Sequence, residues 1–212
     1  LYENPDNPES RRIGKRPVPD ARVVMTSGSD SEIKTTDSKG TFITKIEFNN
    51  KYQFEASKAD YLSGRNNLST NNISKDPDNP VLTFNIEVEI NPVIYNKEIT
   101  LENIYYDLNK WDIRRDAEPS LNELAQLLTE NPALNIQLAS HTDCRAGDDF
   151  NQDLSQKRAQ SAVNYLINKG IRADRLVARG YGESQPAINC ACDDCTEDQH
   201  QQNRRTTFTI VK

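Results

Sequence analysis

No apolar run in these 212 residues approaches the ~20 that a helix needs to cross a bilayer, so the chain offers no helical membrane span. Clusters of one charge are also scarce. Arg11, Arg12, Lys15 and Arg16 make only a short basic stretch, and acidic residues outnumber Lys and Arg by 32 to 26, for a net charge of −6. With no RNA-binding aromatic signature either, nucleic acid is excluded as an expected partner. No helix carries the His and Glu pattern of a zinc hydrolase, no Gly-x-Ser-x-Gly elbow is present, and no cysteine has a convincing base. The expectation is a non-enzyme without cofactor or catalytic metal. The opening, LYENPDNPESRRIG, lacks an initiator Met and the apolar core of a signal peptide. It is expected to belong to a fragment or processed product whose export signal, if any, lay upstream.

Two different patterns divide what is present. After an extended segment over residues 1–16, the N-terminal half is β in character. Arg22 to Thr26, Thr41 to Ile46, Tyr52 to Lys58 and Leu82 to Ile90 are rich in β-branched and aromatic residues, and Ser-Gly-Ser-Asp, Asp-Ser-Lys-Gly, Asn-Asn and Asp-Pro-Asp-Asn-Pro separate them as turns. Phe84, Ile86, Val88 and Ile90 alternate with Asn85, Glu87 and Glu89, which predicts a strand with one buried face. The fold expected over 17–90 is an all-β sandwich. Asp37 with Gly40 is a hairpin turn, because the loop is too short for calcium-loop spacing.

After a linker over 91–98 the periodicity changes. Ile99 to Asp107 is expected as a strand. Leu121, Leu124, Ala125 and Leu128 then fall at helical spacing, so Pro119 to Thr129 is an amphipathic helix that Asn131-Pro132 stops. A strand from Ile136 to Thr142, a long helix ending at Gly170, and strands at Leu176–Gly182 and Thr206–Val211 complete a β-α-β-α-β-β order, with a short helix at Glu197–Gln202. This predicts an α/β domain over 99–212, a mixed sheet with helices packed on it.

The long helix carries one residue out of place. Leu154, Ala159, Ala162, Val163 and Leu166 form its apolar stripe, and Arg158 falls inside that stripe. A guanidinium stays charged, so on an inward face it needs an anionic partner or ligand. Asp143 ends the preceding strand, close to the helix entrance. The pair suits a ligand bearing both an ammonium and a carboxylate; equally, the two groups neutralise each other. Asn151, seven residues before Arg158, lies on nearly the same face, either bonding ligand or loop or capping the helix. His141, within the strand pattern, is expected as a packed, hydrogen-bonded imidazole.

His141-Thr142-Asp143, Asn151 and Leu154-Ser155-Gln156-Lys157-Arg158-Ala159 together resemble the signature of the OmpA-like C-terminal domain, a peptidoglycan-binding module of Gram-negative envelopes. Tyr106 to Lys110, Arg179 to Ser184 with Pro186, and Asn203-Arg204-Arg205 extend the resemblance over roughly residues 96–212, in family order and spacing. It implies that Asp143 grips the ammonium of meso-diaminopimelate in the stem peptide and that Arg158 grips its carboxylate. It also places Asp107 beside the pocket and makes Arg204 and Arg205 mainly structural, with one of them open to lining the rim; Thr142 is a candidate for a hydroxyl or backbone contact. Where the family often has glycine three residues after the aspartate, this chain has Ala146, then Gly147.

Residues 17–90 resemble a carboxypeptidase-regulatory-like domain, a transthyretin-like sandwich, on Pro19 to Val23, Thr35 to Phe42 and Tyr52 to Lys58. The pairing of the two domains resembles a Bacteroidetes type IX secretion component that links the machine to the wall. Together the two resemblances imply a periplasmic, outer-membrane-associated module that anchors an assembly of envelope proteins to peptidoglycan. Two other readings stay open: a zinc- or thiol-dependent envelope enzyme, and a structural adaptor with an internal Asp143–Arg158 salt bridge.

The cysteines are Cys144, Cys190, Cys192 and Cys195, which permit three full pairings. In an exported protein two disulfides are expected. Similar OmpA-like domains from Bacteroidetes share Cys-x-Cys followed by Cys-Thr-Glu and a later His. The pairing favoured joins Cys144 to Cys190 or Cys192, and Cys195 to the other. The rival is zinc on Cys144, Cys192, Cys195 and His141 or His200. A thioredoxin-like role is disfavoured because Asp193 and Asp194, between two of the sulfurs, raise thiol pKa values.

Overall fold

Alternation of apolar and polar side chains builds the N-terminal strands, since successive residues of a strand face opposite sides. The computed structural model describes residues 15–73, 81–102, 104, 106, 107 and 109–212. All but Lys15 and Arg16 of the expected extended segment, and the Asp-Pro-Asp-Asn-Pro turn, lie outside the described residues. The chain divides into two compact units, Leu1–Val93 and Ile94–Lys212.

In the first unit, β1 (Arg22–Ser27), β2 (Asp30–Thr35), β3 (Lys51–Ser57) and β5 (Gly64–Ser69) form an antiparallel sheet in the order β2-β1-β3-β5. A two-residue turn at Gly28, whose φ is +60°, joins β1 to β2 with Ser27 opposite Asp30. A separate short pair joins β4 (Tyr61–Leu62) to β6 (Asn91–Pro92), inside the stretch expected as linker. Val23 and Met25 of β1 and Tyr52, Phe54 and Ala56 of β3 share one buried face. The Asp37 turn forms as expected: Asp37 Oδ1 accepts from the Lys39 and Thr41 amides at 2.8 and 2.9 Å.

Opposite that face, among the described residues, no second sheet completes the expected sandwich. Residues 41–47 and 81–90, which contain two of the predicted strands, run as extended stretches that join no ladder among the described residues. Their alternation survives as burial: Phe42, Ile46, Ile86, Val88 and Ile90 pack on the core, and the odd-numbered residues from Ile43 to Lys45 and from Asn85 to Glu89 are exposed. Period-two alternation specifies which side chains turn inward; a ladder also needs a partner edge in register. The stretch 81–90 is held against β5 by a side chain instead, with Asn66 Nδ2 donating to Glu87 O at 2.7 Å. It also comes so close to Gly64 that a Cβ there would overlap Glu89 O.

The second unit is a four-stranded mixed sheet in the order β7-β10-β8-β9. Its strands are β7 (Glu98–Leu101), β8 (Asn135–Ser140), β9 (Leu176–Gly180) and β10 (Thr206–Val211), and its helices are α1 (Glu118–Glu130), α2 (Asp148–Asn168) and α3 (Glu197–Asn203). β8 and β9 are parallel across the α2 connection, and β10 is antiparallel to both β7 and β8. Leu121, Leu124, Ala125 and Leu128 of α1 are buried as their spacing predicts, with Pro119 in the first turn. The whole expected stripe of α2 is buried too, and Gly170 follows the helix with a φ of +94°. β7 is shorter than predicted. It ends at Leu101, and Asn109, at φ +56°, lies in a turn closed by the Lys110 amide on Asp107 O. Among the described residues no helix is long and apolar enough to cross a membrane.

Candidate functional site

The entrance of α2 is shaped by close backbone approach. β9 lies so near α2 that a Cβ on Gly180 would sit 2.3 Å from Gln156 N. Gln152 Nε2 donates to Gly180 O at 2.9 Å, and the Gly180 amide donates to Gln156 Oε1 at 2.8 Å. Gly182, at φ +53°, turns the chain back so that its amide donates to the buried Ser155 Oγ at 2.8 Å. Each part of the Leu154 to Ala159 motif thereby has a physical task. Leu154 and Ala159 fill the core, Ser155 fastens the Gly-Tyr-Gly turn, and Arg158 faces a cleft.

That cleft has a volume of about 240 Å³ and four guanidinium groups at its wall, those of Arg114, Arg158, Arg204 and Arg205. Ile104, Tyr106, His141 and Gln201 complete the lining. Three of the arginines are paired with carboxylates. Arg114 bonds Asp107 and Asp116, each at 2.9 Å, Arg204 bonds Asp143 and Glu197, and Arg205 lies 3.6 Å from Glu98. Arg158 differs. It is 6% exposed, and its hydrogen bonds run to main-chain acceptors, Nε to Lys110 O at 2.9 Å and Nη2 to Asp107 O at 3.4 Å. Its guanidinium also lies 4.7 Å from the centre of the Tyr106 ring. Burial lowers its pKa, with Tyr106 opposing the change and Arg204 adding to it, yet a guanidinium remains charged. Among the described residues no carboxylate salt-bridges Arg158.

Asp143 and Arg158 are therefore not salt-bridged to each other, although the Asp143 charge acts on the guanidinium from a distance and favours its charged form. Asp143 is instead held by Arg145 Nη2 at 2.7 Å and by Arg204 Nη1. Burial pushes its pKa up, but the hydrogen bonds from Arg145 and Arg204 outweigh this and leave it below the usual carboxylate range. Asp143 is not in the cleft wall; Arg204, which is, connects it to the cleft. Both of its arginines have a second acceptor in Glu197, from Arg145 at 2.8 Å and from Arg204 at 2.7 Å.

The other predicted residues divide. Asn151 is buried and serves the loop, its Nδ2 donating to Asp143 O and Ala146 O, both at 3.1 Å, and to Glu183. It does not cap α2, whose N-cap is Gly147. Thr142 donates its amide to Gly182 O, while its buried Oγ1 has no partner among the described residues. Asp107 offers Arg158 its carbonyl and gives its exposed carboxylate to Arg114. His141 is packed as expected, stacked on Tyr181 and bonded to Glu98 at 3.1 Å. Burial first, then Arg205, pushes its pKa down to about 4, with Glu98 opposing. Arg114, Arg145, Glu197 and Gln201 were not singled out as site residues from sequence. Their roles come from contacts with distant parts of the chain, for which helical or strand periodicity gives no signal.

All four cysteines are oxidised. Cys144 pairs with Cys192 and Cys190 with Cys195, at Cα separations of 5.7 and 5.6 Å, which is one of the two arrangements the resemblance favoured. The first bond ties the loop between Asp143 and Arg145 to the chain before α3.

With an α/β sheet, a helix entrance and a cationic cleft in place, comparison with known proteins gives the class. Residues 105–204 match the OmpA family. The C-terminal unit is an OmpA-like domain. Outer membrane protein A of Shigella flexneri is 32% identical over 155 residues, 66% of this chain and 44% of that protein. A photosystem I P700 chlorophyll a apoprotein A2 from Gloeobacter violaceus is 37% identical over 111 residues, 51% of this chain but 13% of that protein. The chain thus spans less than half the length of these curated relatives. The solved peptidoglycan-associated lipoprotein from Burkholderia pseudomallei is 25% identical, with a TM-score of 0.46 over 50% of this chain and 87% of that one.

Proposed function

We propose that the C-terminal unit binds peptidoglycan non-covalently through the diaminopimelate of the stem peptide. The observation that carries this reading is Arg158, a buried guanidinium whose acceptors among the described residues are main-chain carbonyls, facing a cleft large enough for an amino-acid head group. A ligand carboxylate on Arg158 supplies the anion that the described residues do not, in bidentate geometry. Asp143, behind Arg204 at the cleft wall, receives the ammonium as Arg204 gives way. Its two arginines retain Glu197 when that exchange occurs, so neither is left without an acid. Asn151 and Thr142 hold the loop from below, and Asp107 fixes Arg158 through its carbonyl.

A single zwitterion contact is weak, and the wall presents many equivalent stems, so several copies in one assembly gain avidity. The corresponding role is to anchor an outer-membrane-associated assembly, such as a type IX secretion complex, to the wall from the periplasm. The N-terminal unit, by its resemblance to a carboxypeptidase-regulatory-like domain, spaces its neighbour or packs on a partner protein. No step in this role is catalytic. Co-sedimentation of the full chain with purified sacculi tests it. Wild type is expected in the pellet, with Asp143→Ala and Arg158→Ala left in the supernatant though folded by circular dichroism. Pelleting of both variants at the wild-type level defeats the assignment.

A further inference from the structure

We propose that the cysteine cluster beside α3 is a metal site that opens on reduction, with Cys144, Cys195 and His200 as three ligands and a sulfur released from Cys190 or Cys192 as the fourth. The inference goes beyond wall binding and does not rest on it. Two independent observations carry it. First, ligand atoms of Cys144, Cys195 and His200 all lie within 4.8 Å of one another, although the two cysteines belong to different disulfides. Both disulfides therefore have one sulfur beside His200, with Cys192 and Cys190 bonded to those sulfurs. Second, the His200 side chain is 5% exposed, and its buried Nδ1 has no hydrogen-bond partner among the described residues. A buried imidazole nitrogen in that condition calls for an explanation, and a role as metal ligand supplies one.

The geometry suits a small cation with a preference for sulfur and imidazole. Tetrahedral zinc with Zn–S near 2.3 Å sets its ligands roughly 3.8 Å apart. The three existing ligand atoms need only a modest contraction, and the released sulfurs must move out from bonding distance toward the same spacing. α3, which carries His200, starts from a capping box between Thr196 and Gln199, so the imidazole has a fixed base while the sulfurs adjust. The electron balance is simple. Each disulfide takes two electrons and two protons from one dithiol reductant, which leaves as its own disulfide. Each thiol that then binds the cation releases its proton.

The test uses the full chain, oxidised or reduced with a phosphine, titrated with Co2+ and then Zn2+. About one Co2+ per chain is expected after reduction, with thiolate charge-transfer and tetrahedral visible bands that Zn2+ erases, and none before reduction. The far-UV circular dichroism of the loaded chain should match that of the oxidised one. His200→Ala and Cys195→Ser should each weaken Zn2+ binding by at least about tenfold. The proposal is overturned by no uptake after reduction, by uptake that His200→Ala leaves unchanged, or by metal held only on a chain that has lost its folded spectrum.

Discussion

The two units solve the same problem, covering a sheet, by different means. In the second, a 21-residue helix lays a continuous stripe against β8 and β9, and glycine lets the main chains approach closely. In the first, two extended stretches cover β1 and β3 with a few half-buried side chains each. A helix satisfies its own main chain, so its buried face can also carry a polar group where a ligand needs one. Arg158 uses that freedom. An extended stretch satisfies its main chain only through neighbours, and its alternating face has room for little beyond apolar filling.

Substitutions in each unit can break this contrast. The largest expected effect is in the sheet face: Phe54→Ala removes a ring that is 2% exposed and should destabilise the first unit by about 4 kcal/mol, moving its denaturant midpoint and not that of the second. Gly180→Ala should cost the second unit about 3 kcal/mol, because the new methyl meets main chain rather than a flexible side chain. Calorimetry of that variant should show the opposite pattern of shifts.

A pH titration separates the units without a large truncation. His141 titrates near 4 when folded and near 6.5 when unfolded. Below pH 6.5 the unfolded chain takes up a proton that the folded one refuses, so the second unit loses up to about 1.4 kcal/mol per pH unit as pH falls toward 4. Above 6.5 this contribution is fully present. Denaturant unfolding at stepped pH should show that slope, and His141→Gln should flatten it. The smallest effect sharpens the account of the first unit. Ile86→Ala, on a half-buried stretch, should cost only about 1 kcal/mol; a cost equal to that of Phe54→Ala would place 81–90 in the core on the same footing as the sheet.

Much of the second unit was legible because its signals are local. The stripes of α1 and α2, the proline near the start of α1 and Gly170 after α2 each act within a few residues, and Arg158 stood out by interrupting a stripe. That 41–47 and 81–90 form no second sheet among the described residues was not legible, since alternation is the same whether a stretch is hydrogen-bonded in register or merely laid on a core. The state of Asp143 was hidden for a related reason. One of its arginines is two residues away and the other 61, and no periodicity links them. Spacing alone leaves three cysteine pairings open; two of them were favoured, and the structure selects between those two.

Calorimetric titration of the intact chain with stem peptides that carry meso-diaminopimelate or lysine at the same position tests the central claim most directly, because the two residues then share a side-chain ammonium and differ in the carboxylate beside it. Arg158 should favour diaminopimelate by at least about tenfold, the equivalent of one charged hydrogen bond, and Arg158→Ala should erase the preference. Equal affinity for both ligands in the wild-type chain, or a preference that survives Arg158→Ala, would contradict the account.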